Sequence, residues 1–397
     1  MRLSGLSMLI ALGLVLSGCG GGAAPAAPPG GASQATGQGG GTAAGGLSGE
    51  IPVGAVWSLT GGAAVYGTVQ KNAADLAASE INRSGLLGSA KLKLITEDDR
   101  STREGGIAAF EKLVNRDRVV AILGPTLSNT AKASDPMAQD KGVVVLGVSN
   151  TADGIVEIGD FVFRNSLPES DVQPNTIKVT KDKLNYRRVA VLYGDDDAFT
   201  KAGYDVFSKA LADSGVQVIA TETFKKGDTD FSAQLTKIRG LNPDAIVLSA
   251  LVEEAAGIMT QSRQLGIPAS VPFIGGNGLN SPQLAQLAGS AAQGAISGAA
   301  WFIGNDTPGN ADFVKAYRAQ YGGDPDQFAA QAYAGVYLLA TAMKNANSSS
   351  PRAVRDALAQ LTDVPTVLGT FSFDAIRNPV HPPVVQVLQD GKFALFK

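Results

Sequence analysis

The chain has one histidine and one cysteine in 397 residues, and each scarcity removes a class of chemistry. His381 sits in Asn378-Pro379-Val380-His381-Pro382-Pro383, a proline-rich turn suited to a surface or strand-entry position, so histidine-dependent triads and histidine-rich metal sites have no raw material. A serine nucleophile with a lysine base stays formally open. Cys19 has no partner for a disulfide. Charge of one sign is also lacking: the net charge is −3 and no block of Lys and Arg appears, which argues against a nucleic-acid partner. There is no Walker loop, and Gly275-Gly276-Asn277-Gly278 lacks the lysine and spacing of a phosphate cradle. Asp195-Asp196-Asp197 follows a β-rich run and fits a solvated loop or a helix cap better than a cation site. No metal or cofactor is implied. After the first residues no apolar run approaches the roughly 20 residues that span a bilayer.

What is present begins at the amino end. A basic start, an apolar run from Met8 to Leu16 and then Leu16-Ser17-Gly18-Cys19 resemble a bacterial lipoprotein signal peptide and its lipobox, with residues 1–18 removed and Cys19 lipidated. Residues 19–47 are almost wholly Gly, Ala, Pro, Ser, Thr and Gln, too poor in apolar side chains to offset chain entropy, and read as a disordered tether. The expectation is an exported protein, lipid-anchored to a bacterial membrane and facing the periplasm or the cell exterior.

From about Gly49 onward strand and helix signals alternate. Ile51–Leu59, Lys91–Thr96, Val119–Leu123 and Gly142–Val148 are β-rich, with helical patterns between them, and the alternation restarts from Arg188–Tyr193 to Pro272–Gly275. Such order implies βαβ units and parallel sheets covered on both faces. Past Gly294 two helices follow in succession, then a shorter one and three β-like pieces, as if the tail completed both halves. The predicted class is α/β: two doubly wound lobes, residues 48–165 plus 302–363 and residues 166–301 plus 364–397.

Gly124-Pro125-Thr126-Leu127-Ser128-Asn129-Thr130 leaves a buried strand and sets Ser128 at the start of a helix, whose free N–H groups favour an anionic group. Ser128 as a simple helix cap is an equal reading. The Gly275–Gly278 turn ends a strand, where open α/β sheets bind ligands, and a plain tight turn is an equal reading there.

Several motifs resemble one family. Gly54-Ala55-Val56-Trp57-Ser58-Leu59-Thr60-Gly61 followed by Tyr66-Gly67, Ala73-Ala74 and Glu80-Ile81-Asn82 is similar to the opening of the leucine/isoleucine/valine-binding family. Asp98-Asp99, Gly124-Pro125 with Ser128, Val144–Thr151, Phe231-Ser232-Ala233, Arg263-Gln264-Leu265-Gly266 and Phe273–Gly278 match in order and spacing. The likeness covers essentially everything after the tether. It implies the type I periplasmic-binding fold, with a three-strand hinge, and the role of an extracytoplasmic receptor for an ABC importer. The partners implied are a small-molecule ligand and membrane permease subunits; no reaction is implied.

By that resemblance Ser128 and Thr151 hold an amino-acid carboxylate. The backbone around Ser149 and Asn150 accepts from the ammonium, Leu127 lies alongside, and Tyr66 lines the cleft. From the second lobe Phe199 and Val252 stand near the family's aromatic contacts, and Asn277 stands where the family has an acid. An amide compensates a buried ammonium less than a carboxylate does. Either Glu253 or Asp197 substitutes, or the ligand lacks an ammonium and is an amide, a urea-like solute or an organic carboxylate. A ligand sensor on the same fold is the other functional class.

Overall fold

Parallel pairing starts with the first strand. β1 (Glu50–Trp57) lies beside β2 (Lys91–Asp98) in unbroken register, Glu50 opposite Lys91 and Trp57 opposite Asp98, and α1 (Ala64–Ser84) makes the crossover. α1 stops at Gly85, whose φ of 69° is the left-handed conformation that closes helices. The computed structural model describes residues 47–397; the signal segment, Cys19 and the tether up to residue 46 lie outside the described residues.

The first sheet is completed by α2 (Arg103–Glu111), β3 (Ala121–Leu123), α3 (Ser128–Lys141), β4 (Val144–Gly147) and β5 (Val162–Arg164). Its order is β2-β1-β3-β4-β5 and every pairing is parallel. β3 and β4 are buried at every position, as a sheet covered on both faces requires.

The chain then crosses to a second sheet through α4 (Glu169–Leu184), β6 (Arg188–Gly194), α5 (Ala198–Asp213), β7 (Gln217–Phe224), α6 (Ser232–Leu241) and β8 (Ala245–Ser249). α7 (Val252–Gln264), β9 (Phe273–Gly275), α8 (Gln283–Ala288) and β10 (Ile296–Ala299) follow. Three helices return to the first lobe: α9 (Asn310–Tyr321), α10 (Gln327–Ala346), whose buried face shares a core with α1, and α11 (Pro351–Ala359). α11 starts as its sequence dictates, with Ser350 accepting from Ala353 N and Pro351 in the first turn.

β11 (Val364–Thr366), β12 (Gly369–Phe373) and β13 (Pro379–Val380) form a small antiparallel sheet, and β14 (Val384–Gln389) and β15 (Lys392–Leu395) add antiparallel strands to β10. The second sheet thus runs β15-β14-β10-β9-β8-β6-β7. The tail divides later than its pattern predicts. Residues 364–397 are expected in the second lobe, yet Phe371 and Phe373 belong to the first lobe's core, and Phe373 meets Phe163 of β5 edge-on at 5.3 Å. Aromatic pairs of this kind contribute about 0.5–1.5 kcal/mol beyond the burial that both rings share with the first-lobe core. Three segments pass between the lobes: residues 165–168, 300–309 and 381–383. Among the described residues no helix is long and apolar enough to cross a membrane.

Candidate functional site

The residues that meet between the lobes all follow the carboxyl ends of parallel strands, except Phe328 in the first turn of α10. They are Tyr66 after β1, Thr126 to Ser128 after β3, Ser149 after β4, Phe199 after β6, Leu251 after β8, and Asn277 and Gly278 after β9. This is where open α/β sheets place ligands. The cavity they line is about 20 Å³, room for water rather than for an amino acid. The lobes are shut, and an amino-acid-sized guest enters only when they part.

Tyr66 makes the closure. Its hydroxyl donates to Gly278 O at 2.7 Å and accepts from Val252 N at 2.7 Å, both in the second lobe, while its ring lies 4.6 Å from that of Phe328. Burial pushes the phenol well above its ordinary pKa, so it stays a neutral donor. Two glycines allow the approach: a Cβ at Gly67 would lie 2.0 Å from Ser58 O, and one at Gly278 would lie 2.2 Å from Ala250 O.

Ser128 opens α3 but does not cap it; Leu127 holds the cap position and no side chain caps. Ser128 Oγ instead accepts from Ala152 N at 3.3 Å, and the first intrahelical bond is Ala131 N to Leu127 O. The N–H groups of residues 128–130 therefore precede the helical ladder beside the cavity. Ser149 is fixed by Gln70: its Oγ accepts from Gln70 Nε2 at 2.6 Å and donates to Thr126 O at 2.7 Å.

Asn150, Thr151 and Val252 stand behind the cavity wall rather than on it. Asn150 Nδ2 donates to Pro125 O at 3.1 Å, which braces the β3 and β4 loops, and Val252 contributes its N–H to Tyr66. Thr151 Oγ1 donates at 2.7 Å to Glu169, a residue that none of the sequence motifs contains. Glu169 Oε1 also accepts from Asn277 Nδ2 at 2.8 Å, and Gln173 Nε2 donates to Oε2. The carboxyl is fully buried, and desolvation raises its pKa to about 7 against the pull of these three donors. Asn277 Oδ1 in turn accepts from Gln327 Nε2 at 3.2 Å.

The two acids expected to stand in for a carboxylate at Asn277 are placed otherwise. Asp197 caps α5, Oδ1 accepting from Phe199 N at 2.9 Å and Thr200 N at 3.2 Å, and Glu253 does not line the cavity. Apolar periodicity starts α4 only near Val172, which leaves Glu169 outside the helix. Pro168 followed by Glu169 and Asp171 is nonetheless a readable first turn, with acids where the helix dipole favours them. Pro168-Glu169-Ser170 looks like loop only if the internal Pro174 is taken to exclude an earlier start.

A helix amino terminus and a ring of hydroxyls and amides surround the cavity, and the Glu169 carboxyl sits behind its wall, held on Thr151 and Asn277; Ser128 Oγ bonds to a backbone N–H. The profile of the periplasmic binding protein family matches residues 50–392. The Leu/Ile/Val-binding protein homolog 2 of Brucella abortus is 29% identical over 356 residues, covering 88% of this chain and 94% of that protein. The leucine-, isoleucine-, valine-, threonine- and alanine-binding protein of Pseudomonas aeruginosa is 26% identical over 326 residues, covering 82% and 86%. Among solved structures, the branched-chain amino acid transporter substrate-binding protein LivJ of Streptococcus pneumoniae, in complex with isoleucine, superposes with a TM-score of 0.82. It is 31% identical over 87% of this chain and 97% of its own. With a family profile spanning nearly all the described residues and two parallel-sheet lobes closing on a shared cavity, this chain belongs to the periplasmic binding protein family, type I fold, whose members are extracytoplasmic substrate-binding proteins and not enzymes.

Proposed function

We propose that this protein is the solute-binding lipoprotein of an ABC importer and that it captures an aliphatic amino acid of the branched-chain type by closing its lobes. Cys19 carries the lipid anchor, residues 19–47 are the tether, and the closed body is what the permease receives. The observation that carries the ligand class is Glu169, a buried carboxylate joined to both Thr151 and Asn277 with no Lys or Arg in ion-pair contact among the described residues. An ammonium set against it supplies the missing cation, while the N–H groups of residues 128–130 with the Ser128 hydroxyl receive the carboxylate. Leu127, Phe199, Leu251 and Phe328 provide the apolar wall for an aliphatic side chain. The relatives named for leucine, isoleucine and valine support the same class.

Titration calorimetry with leucine, isoleucine and valine, their amides and their 2-hydroxy-acid analogues tests it. The amino acids should bind, and both analogue sets should bind at least about tenfold more weakly, since each removes one charge-assisted contact. Ser128→Ala should cost about 1–2 kcal/mol of affinity without unfolding. A second reading, an organic acid without an ammonium, draws on the amide at Asn277; hydroxy acids binding as tightly as the amino acids would establish it and displace the first.

A further inference from the structure

Asn129 follows Ser128 on the first turn of α3, and its side chain reaches the other lobe. Nδ2 donates to Asp197 Oδ2 at 2.8 Å, and Oδ1 accepts from Ala198 N at 3.0 Å. Arg103 Nη2, from the first lobe, also reaches Oδ1 at 3.3 Å. Ala198 begins α5, and its N–H is one of those a helix cannot satisfy internally. The Asp197 carboxylate is split between two partners, Oδ1 capping α5 through Phe199 N and Thr200 N while Oδ2 faces Asn129. Asp197 is drawn from water, being 3% exposed, and Asn129 is half-buried.

The two turns that meet here also carry the cavity. α3 brings Ser128 one residue before the fork, and α5 brings Phe199 two residues after the cap. We infer that Asn129 and Asp197 are an interlobe clasp, a pair of positioning residues that sets the population of the closed state and seats Phe199 against the guest. The clasp touches no guest itself. It shifts the open–closed balance, so it changes affinity by a common factor for every ligand that binds the closed form. Lys226 Nζ, which donates to Ser101 O at 3.3 Å across the same mouth, and the Tyr66 bonds act in parallel, so loss of the clasp loosens closure without abolishing it.

The inference rests on the capture reading only for its affinity arm. Asn129→Asp sets one carboxylate against another. Asn129→Asp combined with Asp197→Asn rebuilds the pair in reverse, the new Asn donating to the new Asp, while Asn caps α5 as well as Asp does. In the full chain, L-leucine affinity should fall about tenfold in the single variant and return to within about threefold of wild type in the double. L-valine should follow by the same factors. Hydrogen exchange at the Ala198 amide, measured without any ligand, should accelerate in the single variant and be slowed again in the double. Asn129→Ala, which adds no charge, should fall between them in both readouts. A double variant no better than the single, or a single variant matching wild type in both readouts, overturns the clasp. If wild type binds no leucine, the ligand reading fails and the exchange arm still decides the clasp.

Discussion

Acidification should loosen the grip on an amino acid through one side chain, Glu169. Its pKa of about 7 comes from burial, and an incoming ammonium pairs only with the ionised form, so binding has to expel the proton first. At pH ~5.5 the carboxylate makes up about 3% of the group and at pH ~8 about 90%, so affinity should rise about thirtyfold, about 2 kcal/mol, between them. Near the midpoint each binding event should release about half a proton. Calorimetry of leucine binding in two buffers with different ionisation enthalpies counts that release directly. Glu169→Gln should bind more weakly at pH ~8, with a flat profile across the range. A flat wild-type profile, or an unchanged slope in Glu169→Gln, would refute the assignment of the ammonium to this group.

The same group makes a stability prediction of opposite sense. Because the folded chain holds a proton that the unfolded chain gives up between pH 4.5 and about 7, the contribution of Glu169 to stability falls as pH rises through that window, and the slope of melting temperature against pH should flatten in Glu169→Gln. Thr151→Ala deletes a hydrogen bond that favours the carboxylate, so the midpoint of the binding profile should move up while Ser128→Ala leaves it in place. Tyr66→Phe leaves Gly278 O and Val252 N without their shared partner, and leucine affinity should weaken by about 1–3 kcal/mol with thermal stability changed less. Gly278→Ala forces a methyl into Ala250 O and should cost more affinity than Tyr66→Phe, because the whole β9 turn has to move.

Much of the architecture was readable because each strand announces itself twice, by an apolar run and by the break after it. Val189–Leu192 and Ala245–Leu248 are uninterrupted apolar segments, and both are fully buried parallel strands. The end of α1 was readable where left-handed Gly85 closes it, whereas Gly142, read as the start of a strand, closes α3 in the same way. Of the β11 to β13 sheet only β12 was readable, inside the β-like piece Leu368–Phe373. The sheet's strands are two to five residues long, below the length at which alternation identifies a face, and its allegiance depends on Phe373, with Phe371 packed on it, meeting Phe163 across more than 200 positions of sequence.

Within the site, motif order located Ser128, Tyr66 and Asn277, but order could not say which acid would face Asn277. Asp197 and Glu253 were plausible by proximity to the same loops. Spatial pairing chose Glu169, from the first helix after the crossing, because the start of α4 lies directly beside Thr151, Glu169 N donating to Thr151 O at 3.1 Å. Ser128 had two equal roles on sequence alone; the absence of a side-chain cap on α3 removes the capping one, and Ser128 stands on the cavity wall.

Tyr66 grips main-chain atoms alone in the opposite lobe, a carbonyl and an amide that every residue type supplies. The side chain at position 252 can therefore drift without breaking the latch so long as the backbone path is kept, and the glycine at 278 guards that path. What the phenol senses is the shape of the β9 turn rather than its composition. Specificity can thus be retuned on the walls of the chamber while the shutting mechanism is inherited unchanged.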